Sequence, residues 1–233
     1  VKNVTLELGG KSPSIILDDA DLEQAVPIAL AAGFANSGQA CVAGTRILIP
    51  ESRKDEVLAV LAGKMAAWPA GDPSDPATTI GPMVSQRQWD RVQSYIRRGI
   101  DEGARLVAGG PGRPDGLPDG YYVRPTLFAD VTNDMTIARE EIFGPVLSVI
   151  TYRDEDDAVR IANDTAYGLH AYIFGTHPER ARRIASRIEA GRVAINGGYE
   201  SISPFGGFKQ SGLGREYGSY GLEGFLEPRS VMG

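Results

Sequence analysis

Val146-Leu147-Ser148-Val149-Ile150-Thr151 is an apolar, β-branched run, and Asp154 follows where a helix cap belongs, opening a stretch of helical pattern to about residue 165. Ala171-Tyr172-Ile173-Phe174 is apolar again. Pro178 then suits the first position of a second helix and Gly191 its C-terminal stop, and Val193-Ala194-Ile195-Asn196 closes the set. Strand, helix, strand, helix, strand is the signature of crossover units, because parallel neighbours need a connection long enough to return over one face. Helices then cover both faces, so the strands are continuously apolar. The stretch predicts an α/β fold: a mostly parallel twisted sheet with helices on both faces.

The same alternation extends upstream. Residues 1–8 read as a strand, and Ser14-Ile15-Ile16-Leu17 as a short buried one. Asp18, Asp19 and Asp21 then favour a helix start, with Ala, Leu and Ile running to Phe34. Pro27 inside that run predicts a kink or a late start. Residues 45–49 read as a strand, and 54–67 as a helix with Val57, Val60, Leu61 and Met65 on one face. Ser85-Gln86-Arg87-Gln88 fits a capping box before an amphipathic helix bearing Trp89, Val92, Ile96 and Ile100. Residues 105–108 form a strand leading into a glycine- and proline-rich surface loop at 109–116. No internal repeat or low-complexity segment interrupts the series. Beyond Asn196, glycines crowd the tail, which reads as a long wrapped loop with one helical turn, the kind of loop that is commonly functional.

Composition narrows the function. The 233 residues carry 24 Lys and Arg against 30 Asp and Glu, a net charge of −6, which argues against nucleic-acid or anionic-membrane partners. Arg180, Arg182, Arg183 and Arg187 are interleaved with apolar residues as on a solvated helix face. A single cysteine, Cys41, rules out an intrachain disulfide and suits a reducing, cytoplasmic setting. The only histidines, His170 and His177, have no cysteine near them and offer no zinc spacing. No stretch reaches the about 20 apolar residues of a membrane span.

Four clusters can carry chemistry. Cys41 follows the polar turn Asn36-Ser37-Gly38-Gln39; a lone cysteine is usually inert core, yet this one sits after a bend, and no activating group is visible beside it. Glu7 alone reads as an edge-strand carboxylate facing water. Gly9-Gly10 and Pro13 behind it, however, make a bend able to hold it in a cleft, where a raised pKa suits a general base. Glu140-Glu141-Ile142-Phe143-Gly144-Pro145 is either a solvated loop or a carboxylate and ring suited to a ribose diol and a flat heterocycle. Ser203-Pro204-Phe205-Gly206-Gly207-Phe208-Lys209-Gln210-Ser211-Gly212 is glycine-rich but has no phosphate-loop spacing and opens no strand–helix unit, so a phosphate cradle is rejected.

In order and spacing these four motifs resemble the aldehyde dehydrogenase superfamily, the cysteine standing 34 residues after the glutamate. The likeness covers essentially the whole chain but corresponds only to the C-terminal, catalytic half of such an enzyme. It implies that Cys41 is the nucleophile, forming a thiohemiacetal and then a thioester, with its own N–H in the oxyanion hole, and that Glu7 is the base for hydrolysis. It further implies that Glu141 holds the nicotinamide ribose of NAD or NADP, that Phe143 and the Leu8 backbone lie by the ring, that Gln88 is a further ribose contact, and that Phe205 lines the substrate tunnel with Tyr199 and Ile202. Retention of Glu7 favours hydrolysis to a free acid over acyl transfer to coenzyme A.

By the same resemblance, residues 1–10 end a coenzyme domain, 11–212 form the catalytic domain, and 213–233 are a packing tail. The coenzyme loop, the adenosine-ribose lysine and the side-chain asparagine of the oxyanion hole belong about 240 residues or fewer upstream. The chain is then expected to be part of a longer enzyme, a homo-oligomer (dimer or tetramer), and to bind NAD weakly or not at all by itself. Its partner is a small-molecule aldehyde. Two alternatives stand beside this: a coenzyme-independent thiol esterase, and a non-catalytic oligomerisation module.

Overall fold

The computed structural model describes residues 2–117 and 119–233; the first residue of the strand predicted over 1–8 lies outside them. The strands are β1 (Leu6–Glu7), β2 (Pro13–Ile16), β3 (Arg46–Pro50), β4 (Arg105–Ala108), β5 (Thr126–Ala129), β6 (Val146–Tyr152), β7 (Tyr167–Gly168), β8 (His170–Phe174), β9 (Arg192–Ile195), β10 (Phe208–Lys209) and β11 (Gly212–Leu213). The helices are α1 (Leu22–Phe34), α2 (Lys54–Lys64), α3 (Gln86–Asp101), α4 (Thr136–Arg139), α5 (Glu155–Asn163), α6 (Pro178–Ala185) and α7 (Gly218–Glu223). Seven strands form one sheet in the order β4-β5-β6-β3-β2-β8-β9, all pairs parallel except antiparallel β4–β5 at the edge. The predicted α/β architecture is the one observed.

Two-sided burial explains the apolar strands. Ile15 and Leu48 join a core layer with Val92 and Ile96 of α3, Ile161 of α5 and Ile184 of α6. Their chain neighbours Ile16, Ile47 and Ile49 join the opposite layer with Leu30 and Phe34 of α1 and Leu61 of α2. Successive strand residues point to opposite faces, so one apolar run supplies both layers. Among the described residues no helix is long and apolar enough to cross a membrane.

Several local expectations are corrected. Pro27 does not delay α1, which starts at Leu22 with Asp21 accepting from the Glu23 N–H at 3.0 Å and runs on past the proline to Phe34. It lies on the exposed side, where the Glu23 carbonyl it leaves unbonded can face water. Ser85 caps α3 by accepting from the Gln88 N–H at 3.3 Å, but the Gln88 side chain does not return to complete the box. Ile100 is exposed, and Gly99 takes the buried place one residue earlier. Arg180 is not a solvated charge: it pairs with Asp18, Asp19 and Glu155 at 2.5, 3.0 and 2.6 Å. α6 ends at Ala185, well short of Gly191. Gly191 is needed for close approach instead, since a methyl group there would come within 1.6 Å of the Gly206 carbonyl.

The tail is more ordered than a wrapped loop with one helical turn. β10 pairs with β7 and β11 with β1, both antiparallel, and α7 follows. These short pairings tie the tail to β1 and β7, next to the bend that follows β1.

Candidate active site

The turn carrying Cys41 is built from left-handed residues, with φ of 52° at Asn36, 59° at Ser37 and 71° at Gly38. Asn and Gly adopt this region readily, whereas Ser does so at a cost of about 1 kcal/mol or more. Side chains hold it: Asn36 Nδ2 donates to the Gln39 carbonyl at 2.9 Å, Ser37 Oγ donates to the Gly81 carbonyl at 3.1 Å, and Gln39 Oε1 accepts from the Val84 N–H at 3.0 Å. Cys41 emerges half-buried, not packed in the core. Burial pushes its thiol above the ordinary value, the Glu7 carboxylate pushes it further, and Glu141 adds to this; the N–H groups of Cys41 and Val42 act the other way.

Glu7 stands just before the Gly9-Gly10 bend, which packs on the Cys41 backbone. Gly10 packs so tightly on the Cys41 carbonyl that a methyl group would come within 2.1 Å of it. The tail fixes the bend from the other side. The Leu8 N–H donates to the Ser211 carbonyl at 3.0 Å; the fully buried Ser211 hydroxyl donates to the Gly9 carbonyl at 2.7 Å and accepts from the Gly168 N–H at 2.9 Å. Glu7 sits opposite Gly212, so its strand is paired, and its Oε1 is buried without a hydrogen-bond partner among the described residues. Burial raises its pKa and the Glu216 carboxylate raises it further, with Arg215 opposing. The water-facing reading of Glu7 therefore fails for that oxygen.

Glu141 meets the same bend from below, its Oε1 accepting from the Gly10 N–H at 2.8 Å. Its neighbour Glu140 is tied back to α3, accepting from the Tyr95 hydroxyl at 2.6 Å. Phe143 is 37% exposed on a left-handed backbone (φ 60°). Gln88 donates to the carbonyls of Ile142 and Phe143 at 3.0 and 2.8 Å, and Arg91 donates to the Glu141 carbonyl at 2.7 Å. The loop is thus held from α3, with Gln88 among its supports.

A cavity of about 670 Å³ opens beside the thiol, lined by Cys41, Val42, Tyr172, Arg192, Tyr199 and Phe205 among others. Ile202, expected there, is instead 71% exposed and outside the lining. Tyr172, His170, Arg192 and Glu216 were missed from sequence. Tyr172 and His170 read as strand residues of β8, yet the Tyr172 hydroxyl donates to the Val42 carbonyl at 3.1 Å beside the Cys41 turn. His170 is kept neutral, its pKa lowered to about 4 by burial and by Arg192. A half-buried thiol lining a cavity with aromatic walls, and a bend packed on its backbone that follows one carboxylate and binds another, together suit covalent chemistry on a small electrophile.

The sequence model of the aldehyde dehydrogenase family matches residues 1–231. The chain belongs to the aldehyde dehydrogenase family. It is 54% identical over all 233 residues to a putative aldehyde dehydrogenase of Staphylococcus haemolyticus, 49% of whose length it covers. Among solved structures it is similar to aldehyde dehydrogenase C of Pseudomonas syringae, a cysteine-to-alanine mutant in complex with NAD+ and octanal, at 52% identity and a TM-score of 0.95 over 97% of this chain and 47% of that one. It is also similar to a Mycobacterium tuberculosis aldehyde dehydrogenase complexed with NAD+, at 53% identity and a TM-score of 0.92 over 95% of this chain and 46% of that one. This aldehyde dehydrogenase chain therefore spans about half the length of the relatives it matches.

Proposed function

We propose that this chain is the catalytic portion of an NAD(P)-dependent aldehyde dehydrogenase that releases a free carboxylic acid, with Cys41 as nucleophile and Glu7 as base. The observation that carries the reading is the packing of the Glu7-Leu8-Gly9-Gly10 bend directly onto the Cys41 backbone, beside the cavity that Cys41 lines. Residues 1–10 are the end of the coenzyme domain, 11–212 the catalytic domain and 213–233 the tail; the whole enzyme is a cytoplasmic homo-oligomer.

The residues fit the nicotinamide end of the coenzyme. Glu141 uses Oε1 on Gly10, while Oε2 has no donor among the described residues, and Phe143 is exposed beside it. A carboxylate acceptor and an open ring suit a ribose diol and a flat heterocycle, with the Leu8 backbone nearby. Gln88 is a positioning residue for this loop, its amide nitrogen being committed to the loop carbonyls. A bound nicotinamide coenzyme supplies the hydride acceptor.

Cys41 gives its proton to water and its sulfur bonds to the aldehyde carbon, the oxyanion facing its own N–H. Collapse of that adduct re-forms the carbonyl as a thioester, with hydride leaving the carbon. Glu7 then takes a proton from water, whose oxygen attacks the thioester; the C–S bond breaks and the acid departs. Loss of one oxyanion donor costs about 3 kcal/mol in other enzymes, so the Cys41 N–H matters as well as its sulfur.

The test uses the enzyme expressed from its complete reading frame. Cys41→Ser is expected to abolish reduced-coenzyme formation. Glu7→Gln is expected to give a single-turnover burst followed by slow hydrolysis, because acylation survives and deacylation does not. Unimpaired steady-state turnover in Glu7→Gln would exclude Glu7 as the base.

A further inference from the structure

We propose that Arg192 is a carboxylate-binding subsite of the substrate cavity, selecting aldehydes that carry a carboxylate at the end opposite the reacting carbonyl; this deepens, and rests on, the dehydrogenase reading. Arg192 opens β9 and lines the same cavity as Cys41. Its guanidinium is fixed before any ligand arrives. Nε donates to the Pro204 carbonyl at 2.9 Å, Nη2 donates to the Ser203 carbonyl, and the group lies 5.0 Å from the Phe205 ring and 5.6 Å from that of Tyr217.

What it lacks is a counterion. Among the described residues no carboxylate pairs with it and Nη1 has no acceptor; Glu200 lines a second cavity that Arg192 also borders, while no acidic residue lines this one. A half-buried, oriented cation without a paired carboxylate draws an anion, and Nη1, the nitrogen not committed to the loop carbonyls, is free to donate to one. Neutral His170 beside it does not compete for that anion. The aromatic walls (Tyr172, Tyr199 and Phe205) suit an unbranched methylene chain between the two ends.

The experiment compares kcat/KM of the complete enzyme for unbranched ω-oxo-carboxylates with that for n-alkanals of equal chain length. Wild type is expected to favour the oxo-acids. Arg192→Gln is expected to cut that preference by about tenfold, mainly through KM for the oxo-acid, as expected for loss of a charge-assisted bond. Arg192→Lys should restore part of it. Glutarate should inhibit alkanal oxidation by wild type and not by Arg192→Gln. A merely structural prop for the 203–205 loop would lower both substrate classes together; an unchanged preference in Arg192→Gln, or a wild type that favours alkanals at every length, overturns the assignment. Oxidation of neither class by wild type removes the dehydrogenase reading and the subsite with it.

Discussion

The sheet interior and the glycine-rich strap around β1 are held by different forces. β2, β3 and β6 are buried on two faces, and Ile15, Ile16, Ile47, Leu48 and Ile49 expose no surface at all. The strap buries little apolar surface; Leu213, Tyr217 and Leu222 stand largely in solvent. It is held by backbone hydrogen bonds, by the Ser211 hydroxyl and by close approaches that admit no side chain. The sheet thus supplies stability and the strap supplies position. A lesion in one should be felt as unfolding, and a lesion in the other as misalignment.

The largest effect should come from Leu48→Ala, which removes a side chain from the centre of the sheet. A loss of about 2–5 kcal/mol is expected in denaturant unfolding, while the molecules that remain folded keep their activity. Gly212→Ala sharpens the contrast from the other side. A methyl group there would come within 1.9 Å of the Leu6 carbonyl, on a backbone at φ 137°, so the strand bearing Glu7 must shift. A displacement of this kind is expected to lower turnover about a hundredfold, with a far smaller change in the unfolding midpoint than Leu48→Ala gives.

Lys11 marks the junction of the two regions, at the end of the bend and against the sheet. It is fully buried, its Nζ has no partner among the described residues, and burial, then Arg46, lowers its pKa to about 7. In the unfolded chain it titrates near 10.4. Between those values the unfolded chain binds more protons, so stability from this group rises as pH rises through the window. A gain of about 2 kcal/mol between pH 7 and 9 is expected for wild type from this residue. Lys11→Met should flatten that slope in unfolding measured across the same pH range.

The same division explains what could be read from the sequence. Residues 146–196 disclosed the parallel sheet because two-sided burial writes itself as apolar runs separated by amphipathic helices. Cys41, Glu7, Glu141 and Phe205 stood out through their turns and glycines, and the structure gathers all four around one bend and its adjoining cavity. Side chains that reach the site from β8 and β9 were illegible, since Tyr172 and Arg192 look like ordinary strand residues until the sheet order sets them beside the Cys41 turn. Gly191 was read from its position after a helix, when its demand comes from a backbone 15 residues later in the chain, at Gly206. Arg46 was hidden for a related reason. It is a wholly buried charge satisfied by the carbonyls of Lys11, Ile161 and Ala162, contacts that exist only after folding.

The smallest expected effect tests the juxtaposition of Cys41 and Glu7 most directly. The rate at which iodoacetamide alkylates Cys41 follows the thiolate fraction, so its pH profile reports the charges around the sulfur. Wild type should show a midpoint above that of an ordinary thiol. Glu7→Gln removes a negative charge that raises the thiol pKa, so its midpoint should fall and alkylation at pH 8 should quicken by about two- to fivefold. Superimposable profiles for the two proteins would mean that the carboxyl group and the sulfur do not share a cleft, and the assignment of nucleophile and base would fall.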